Sequence, residues 1–148
     1  MSLFVIDASV AIKWVIAEDG SDKALSLRRE AHRSIAPDLL VAECANILRK
    51  KVQRAQISAA EAHLAARLLQ AADVEILPAR NLLEQTTRLA VDLGHPACDC
   101  LYLALAVAND CRFTTDGTTK EPRGPREDRI HRRHYAHGES NKQRTSPP

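Results

Sequence analysis

Near its start the chain runs Leu3-Phe4-Val5-Ile6-Asp7, four apolar residues stopped by an acid, and this stretch constrains the fold more than any other. An uninterrupted apolar run with aromatic and β-branched members fits a short strand buried on both faces, as in a parallel sheet flanked by helices. Asp7 then stands where the strand ends. In open α/β sheets ligands bind in the crevice outside the carboxyl ends of the strands, so an acid there is a candidate site residue. It is equally suited to capping the helix that follows, which begins near Ala8 and carries Val10, Ile12, Trp14 and Val15.

The alternation continues along the chain. Asp19-Gly20-Ser21 makes a turn, and Ser21 caps a helix through Ala24, Leu25, Leu27 and Ala31. Ser34-Ile35-Ala36-Pro37 reads as a very short strand closed by a proline, and Asp38 to about Arg54 as a helix with Leu39, Leu40, Ile47 and Leu48 at helical spacing. Ser58-Ala59-Ala60-Glu61 is a capping box that opens a helix through Leu64, Ala65, Leu68 and Leu69. Val74 to Leu77 reads as a strand, and Asn81 to Leu93 as a helix stopped by Gly94. The Ala- and Leu-rich run after Pro96 is a core helix, and Arg112-Phe113-Thr114-Thr115 is a last strand ending at Asp116. Strands alternating with helices call for a parallel sheet with helices around it.

Beyond Asp116 the composition changes. Residues 1–116 carry a net charge of −2, whereas residues 117–148 carry +4, with Ile130, Tyr135 and Ala136 their only hydrophobic residues. The expected organisation is one domain over 1–116 and a basic tail over 117–148, whose few apolar groups cannot offset the entropy of ordering. His131, His134 and His137 belong to that solvated tail. The N-terminal apolar run is too soon interrupted for a secretory leader, and no run approaches a membrane span, so the expectation is a soluble, cytoplasmic protein. Cys44, Cys98, Cys100 and Cys111 then read as reduced thiols. A zinc site at His95, Cys98 and Cys100 is disfavoured, because helical residues two apart face away from each other.

Four acids remain to be explained. Asp7 and Asp116 close strands, while Glu43 and Asp99 lie on apolar helices, and no Lys or Arg of matching periodicity accompanies them. Buried carboxylates need partners, and acids gathered at one sheet edge would repel one another unless a cation sat among them. An all-oxygen site suits Mg2+ or Mn2+, which can activate a water and steady the charge that develops when a phosphodiester is cut.

At these positions the chain resembles the PIN-domain family, most closely its VapC-type toxins. The resemblance lies in Val5-Ile6-Asp7-Ala8-Ser9-Val10, in Glu43-Cys44-Ala45-Asn46 after a Pro-Asp-Leu-Leu opening, in Asp99 to Ala106, and in Phe113-Thr114-Thr115-Asp116. It implies a three-layer α/β/α sandwich around a short parallel sheet. The implied activity is that of a Mg2+- or Mn2+-dependent endoribonuclease, a homodimer held in check by a partner antitoxin. Asp7, Glu43, Asp99 and Asp116 would form the acidic metal and catalytic site, with Ser9, Asn46 and Thr114 as supporting polar residues. The family continues after the last acid with a helix or short strand, for which residues 117–148 offer no apolar face.

Other classes fit less well. A dehalogenase-like phosphatase needs a second Asp two residues after Asp7, where Ser9 stands, and a receiver domain needs an acid beside Asp7. There is no Gly-rich phosphate loop, no Gly-x-Ser-x-Gly elbow and no His-Glu-x-x-His. Cys44 has no placed His and reads as a core residue rather than a nucleophile. The few aromatic residues lie mostly in apolar segments, so contact with RNA through backbone phosphates is expected in place of base stacking. The non-enzymatic alternative is an inactive copy that still dimerises or binds an antitoxin.

Overall fold

Strand β1 (Leu3–Ile6) is the centre of the molecule: Phe4, Val5 and Ile6 are all buried, although neighbouring strand residues point to opposite faces. The sheet is therefore covered on both sides. In the computed structural model, which describes residues 2–29, 33–115 and 118–120, β1 is followed by α1 (Ala8–Lys13), α2 (Ser21–Arg29), β2 (Arg33–Pro37) and α3 (Leu39–Gln53). Then come α4 (Ala59–Gln70), β3 (Val74–Leu77), a 3-10 turn (Arg80–Leu82), α5 (Leu83–Leu93), α6 (Ala97–Ala108), β4 (Arg112–Thr115) and β5 (Thr118–Lys120).

The strand order is β3-β2-β1-β4-β5, parallel except for β5. α6 packs on β1, β2 and β4 and against α5, while α1, α3 and α4 pack on one another. The result is the expected α/β/α sandwich around a short parallel sheet. Its core joins Val5, Ile6 and Ile35 of the sheet to Val10 and Ile12 of α1, Leu40 and Leu48 of α3, and Tyr102 and Leu105 of α6.

The local signals act as their chemistry requires. Ser58 Oγ accepts from the Glu61 amide at 3.1 Å while Glu61 Oε2 accepts from the Ser58 amide at 2.6 Å, the reciprocal capping box. Gly94 ends α5 with φ 61°, a left-handed conformation that costs glycine nothing. Pro37 closes β2 inside the sheet, opposite Leu77, and α3 starts two residues later. Among the described residues no single helix is long and apolar enough to cross a membrane.

The sheet also runs past the boundary expected at residue 116. β5 pairs antiparallel with β4, Thr115 opposite Thr118 and Phe113 opposite Lys120. The expectation that residues after 116 could supply no strand rested on their lack of an apolar face. An edge strand can be held by backbone hydrogen bonds alone, and a polar sequence suits an edge because it discourages further pairing. The remaining residues expected to form the tail, 121–148, lie outside the described residues.

Candidate active site

Parallel pairing places Ile6 of β1 opposite Thr114 of β4, so the next residues, Asp7 and Thr115, emerge side by side at the carboxyl edge of the sheet. Thr115 Oγ1 donates to Asp7 Oδ2. The other oxygen, Oδ1, accepts from Ser9 Oγ at 2.6 Å and from the Val10 amide at 3.1 Å, which makes Asp7 the N-cap of α1. Capping and site readings of Asp7 thus describe the same side chain, because α1 begins where β1 opens onto the crevice.

Glu43 comes from α3, which leaves the same sheet edge after β2. Leu40, Cys44 and Leu48 recur every four residues and form the buried stripe of that helix, and Glu43 borders the stripe, half-buried. Its Oε2 accepts from the phenol of Tyr102 on α6. Tyr102 is 2% exposed and its ring stacks on Phe113 of β4, with centroids 6.0 Å apart and planes 11° from parallel. Burial, the bond to Glu43 and the negative charges of Glu43 and Asp7 push the Tyr102 phenol far above its ordinary range. Burial, followed by the same two carboxylates, pushes the Cys44 thiol up to about 11. Asp7 and Glu43 therefore act on one shared neighbourhood.

The other expected residues are placed differently. Asp99 lies in the first turn of α6, 69% exposed, with His95 Nδ1 3.8 Å from its carboxylate. Asn46 Oδ1 accepts from Nε and Nη2 of Arg49 at 3.3 and 3.2 Å, so it is engaged along the exposed side of α3. Thr114 is buried, one residue short of the threonine that reaches Asp7. Asp116 lies outside the described residues. Among the described residues no three His, Cys, Asp or Glu side chains gather as a metal-holding group. Cys98 is exposed while Cys100 is buried, as a separation of two along a helix requires, and all four cysteines are free.

Thr115 and Tyr102 are the two contributors that sequence reasoning passed over. A tyrosine in an Ala- and Leu-rich core helix carries a hydroxyl that needs a buried partner, and it stands three residues after Asp99, one helical turn away on the same side. That was the available signal. The donors to Asp7 and Glu43 described here are hydroxyls and one backbone amide, all neutral, so they orient the carboxylates without cancelling their charge. Such a pair, with oxygen donors around it, is suited to hold a hard divalent cation.

The PIN domain family model matches residues 4–122. VapC ribonuclease Mb0985 of Mycobacterium bovis and ribonuclease VapC9 of Mycobacterium tuberculosis are each 30% identical over 113 residues, covering 76% of this chain and 84% of theirs. Among solved structures, VapC20 of Mycobacterium tuberculosis, a sarcin-ricin loop cleaving toxin, superposes with a TM-score of 0.60 at 16% identity, covering 74% of this chain and 85% of that one. PAE2754 from Pyrobaculum aerophilum gives 0.59 at 21% identity, covering 78% and 74%. VapBC2 from Rickettsia felis, bound to a DNA fragment from their promoter, gives 0.56 at 13%, covering 77% and 87%. The chain belongs to the PIN-domain family, and VapC ribonucleases are among its relatives.

Proposed function

We propose that this chain is a Mg2+- or Mn2+-dependent endoribonuclease that hydrolyses RNA phosphodiesters as the toxin of a toxin–antitoxin pair. In this reading Asp7, Glu43, Asp99 and Asp116 are its metal-binding and catalytic acids, and it works in the cytoplasm as a homodimer restrained by an antitoxin protein. The observation that carries it is that Asp7 and Glu43, whose charges both act on Tyr102 and Cys44, are each held by neutral donors. A structural ion pair would have used Lys or Arg. Hydroxyls and a backbone amide orient a carboxylate without setting a positive charge beside it, and carboxylate oxygens fit a hard cation.

When bound, the cation supplies an activated water and positive charge beside the phosphate. The chain's own residues do the rest. Ser9, Thr115 and the Val10 amide fix Asp7 in one orientation, and Tyr102 fixes Glu43, so that neither carboxylate must be ordered at the moment of reaction. RNA is held through its phosphates, with the basic residues of 117–148 adding to the attraction.

The test is cleavage of mixed RNA by the purified chain with Mg2+ or Mn2+, with a chelator, and with Asp7→Asn in parallel. Metal-dependent cleavage lost in the variant is the expected result; cleavage that survives chelation refutes the metal-dependent mechanism. One observation favours a second reading, an inactive copy that dimerises or binds an antitoxin: Asp99 is well exposed and faces His95. Calorimetry separates the two, since the inactive copy would take up no divalent cation.

A further inference from the structure

Tyr102 is a core residue by burial, yet its one polar atom is spent on an acid from another helix, 59 positions away in the chain. Its ring is fixed on Phe113, whose strand β4 pairs with β1 directly beneath Asp7. The hydroxyl is thus held from the sheet side, and it in turn holds Oε2 of Glu43. The second oxygen, Oε1, takes no hydrogen bond among the described residues.

We propose that Tyr102 is a positioning residue for the cation site: its phenol anchors one oxygen of Glu43 and leaves the other for the metal. The inference rests on Glu43 being a ligand. α3 alone does not determine where that carboxylate sits, because a glutamate beside a buried stripe has three side-chain torsions and water within reach. Anchoring one oxygen to a stacked ring removes most of that freedom before the cation arrives. A phenol suits the task better than an ammonium or guanidinium, which would also orient the carboxylate but would compete with the cation for its charge. Partners that orient metal ligands from outside commonly matter about 10- to 100-fold in affinity or activity.

The experiment is titration calorimetry of the full chain with Mn2+ alone, comparing wild type, Tyr102→Phe, Glu43→Gln and the double variant, each with its melting temperature without metal. Tyr102→Phe keeps the ring and its stack, so it should fold, and it should weaken Mn2+ binding about tenfold. In the Glu43→Gln background the same change should add less than twofold, because the phenol acts through that carboxylate. Phe113→Leu, which disturbs the stack but leaves the hydroxyl, should lower the melting temperature and weaken Mn2+ binding less than Tyr102→Phe does. Unchanged Mn2+ affinity in Tyr102→Phe overturns the proposal, as does an equal loss in both backgrounds. Should Glu43→Gln alone leave Mn2+ affinity untouched, Glu43 is no ligand, and that reading falls together with the proposal.

Discussion

Replacing Asp7 separates what the fold asks of this side chain from what the site asks. The fold uses it as an acceptor: Oδ1 takes the Val10 amide and the Ser9 hydroxyl, and Oδ2 takes the Thr115 hydroxyl. Asp7→Ala removes the cap of α1, which costs about 1 kcal/mol. It also strands two hydroxyls, each worth about 0.5 kcal/mol or more when paired, discounted because both are only part-buried and water can reach them. The sum is about 2 kcal/mol, and for a chain of this size each kcal/mol lowers the melting temperature by about 2–4 °C, so Ala should melt about 6 °C lower. Asp7→Asn keeps a carbonyl oxygen for Val10 and Ser9, and the Thr115 hydroxyl can turn to accept from the new amide. Asn also caps as well as Asp does, and the loss of one anion relieves repulsion with Glu43, so its melting temperature without metal should stay within about 2 °C of wild type. Thermal melts with and without Mn2+ are the assay, alongside RNA cleavage. Wild type should gain stability with Mn2+, by about 2.7 kcal/mol at one hundred times its Kd, whereas both variants should gain little and cleave little. If Asn destabilises the metal-free protein as much as Ala does, the fold needs the charge itself, and the separation of cap from ligand at Asp7 is refuted.

Four further outcomes are expected. Native alkylation at about pH 8 should label Cys98 first, because the other three thiols are buried and raised in pKa; mass spectrometry that finds Cys44 modified equally fast would contradict this. The same shifts set an alkaline limit: since the folded Cys44 thiol ionises later than the unfolded one, stability should be complete below 9.0 and decline as pH rises toward about 11, which denaturant melts across that window would register. Gly94→Ala should cost about 1 kcal/mol purely through backbone strain at φ 61°, since nothing lies within 4 Å of the added carbon, and Gly94→Asn should cost less in the same melts. Removing residues 123–148, beyond the reach of the family match, should leave the melting temperature unchanged but flatten the salt dependence of RNA binding, by about 0.7 in log–log slope for each phosphate no longer neutralised.

Much of the fold was legible because its elements are locally consistent. An apolar run marked β1, four-residue spacing marked α3, a capping box opened α4, and Gly94 closed α5 at the residue where the helix ends. β5 was missed because apolar periodicity cannot reveal a polar edge strand. The sequence does hold a signal for it in the dipeptide Asp116-Gly117, since Asp-Gly favours a reversal of the chain between strands. Within the site, Asp7 and Glu43 could be singled out as acids in apolar surroundings. Their donors could not, because Tyr102 and Thr115 reach them through tertiary packing and strand register, neither of which is local in sequence. Thr114 was expected in place of its neighbour for the same reason: adjacent strand residues alternate in direction, and only the register says which one emerges beside Asp7.

The coincidence of cap and proposed site at Asp7 has a physical origin. A parallel strand followed by a helix must turn at the carboxyl edge of the sheet, and the turn exposes the first amides of the helix, which want an acceptor. An aspartate there accepts from one of them, the Val10 amide, and still presents negative charge to the crevice. The second acid cannot be obtained in the same way, because the turn after β2 is occupied by Pro37 and Asp38, and Asp38 makes no side-chain cap to α3. Glu43 instead enters one turn further along the helix, where no backbone amide is available to hold it, and an outside donor is needed. Tyr102 fills that need from α6. The two carboxylates are thus held by different means, one by its own turn together with Thr115 of the adjacent strand, and one by a neighbouring helix. The orientation of Glu43 should therefore depend on the packing of α6 against the sheet.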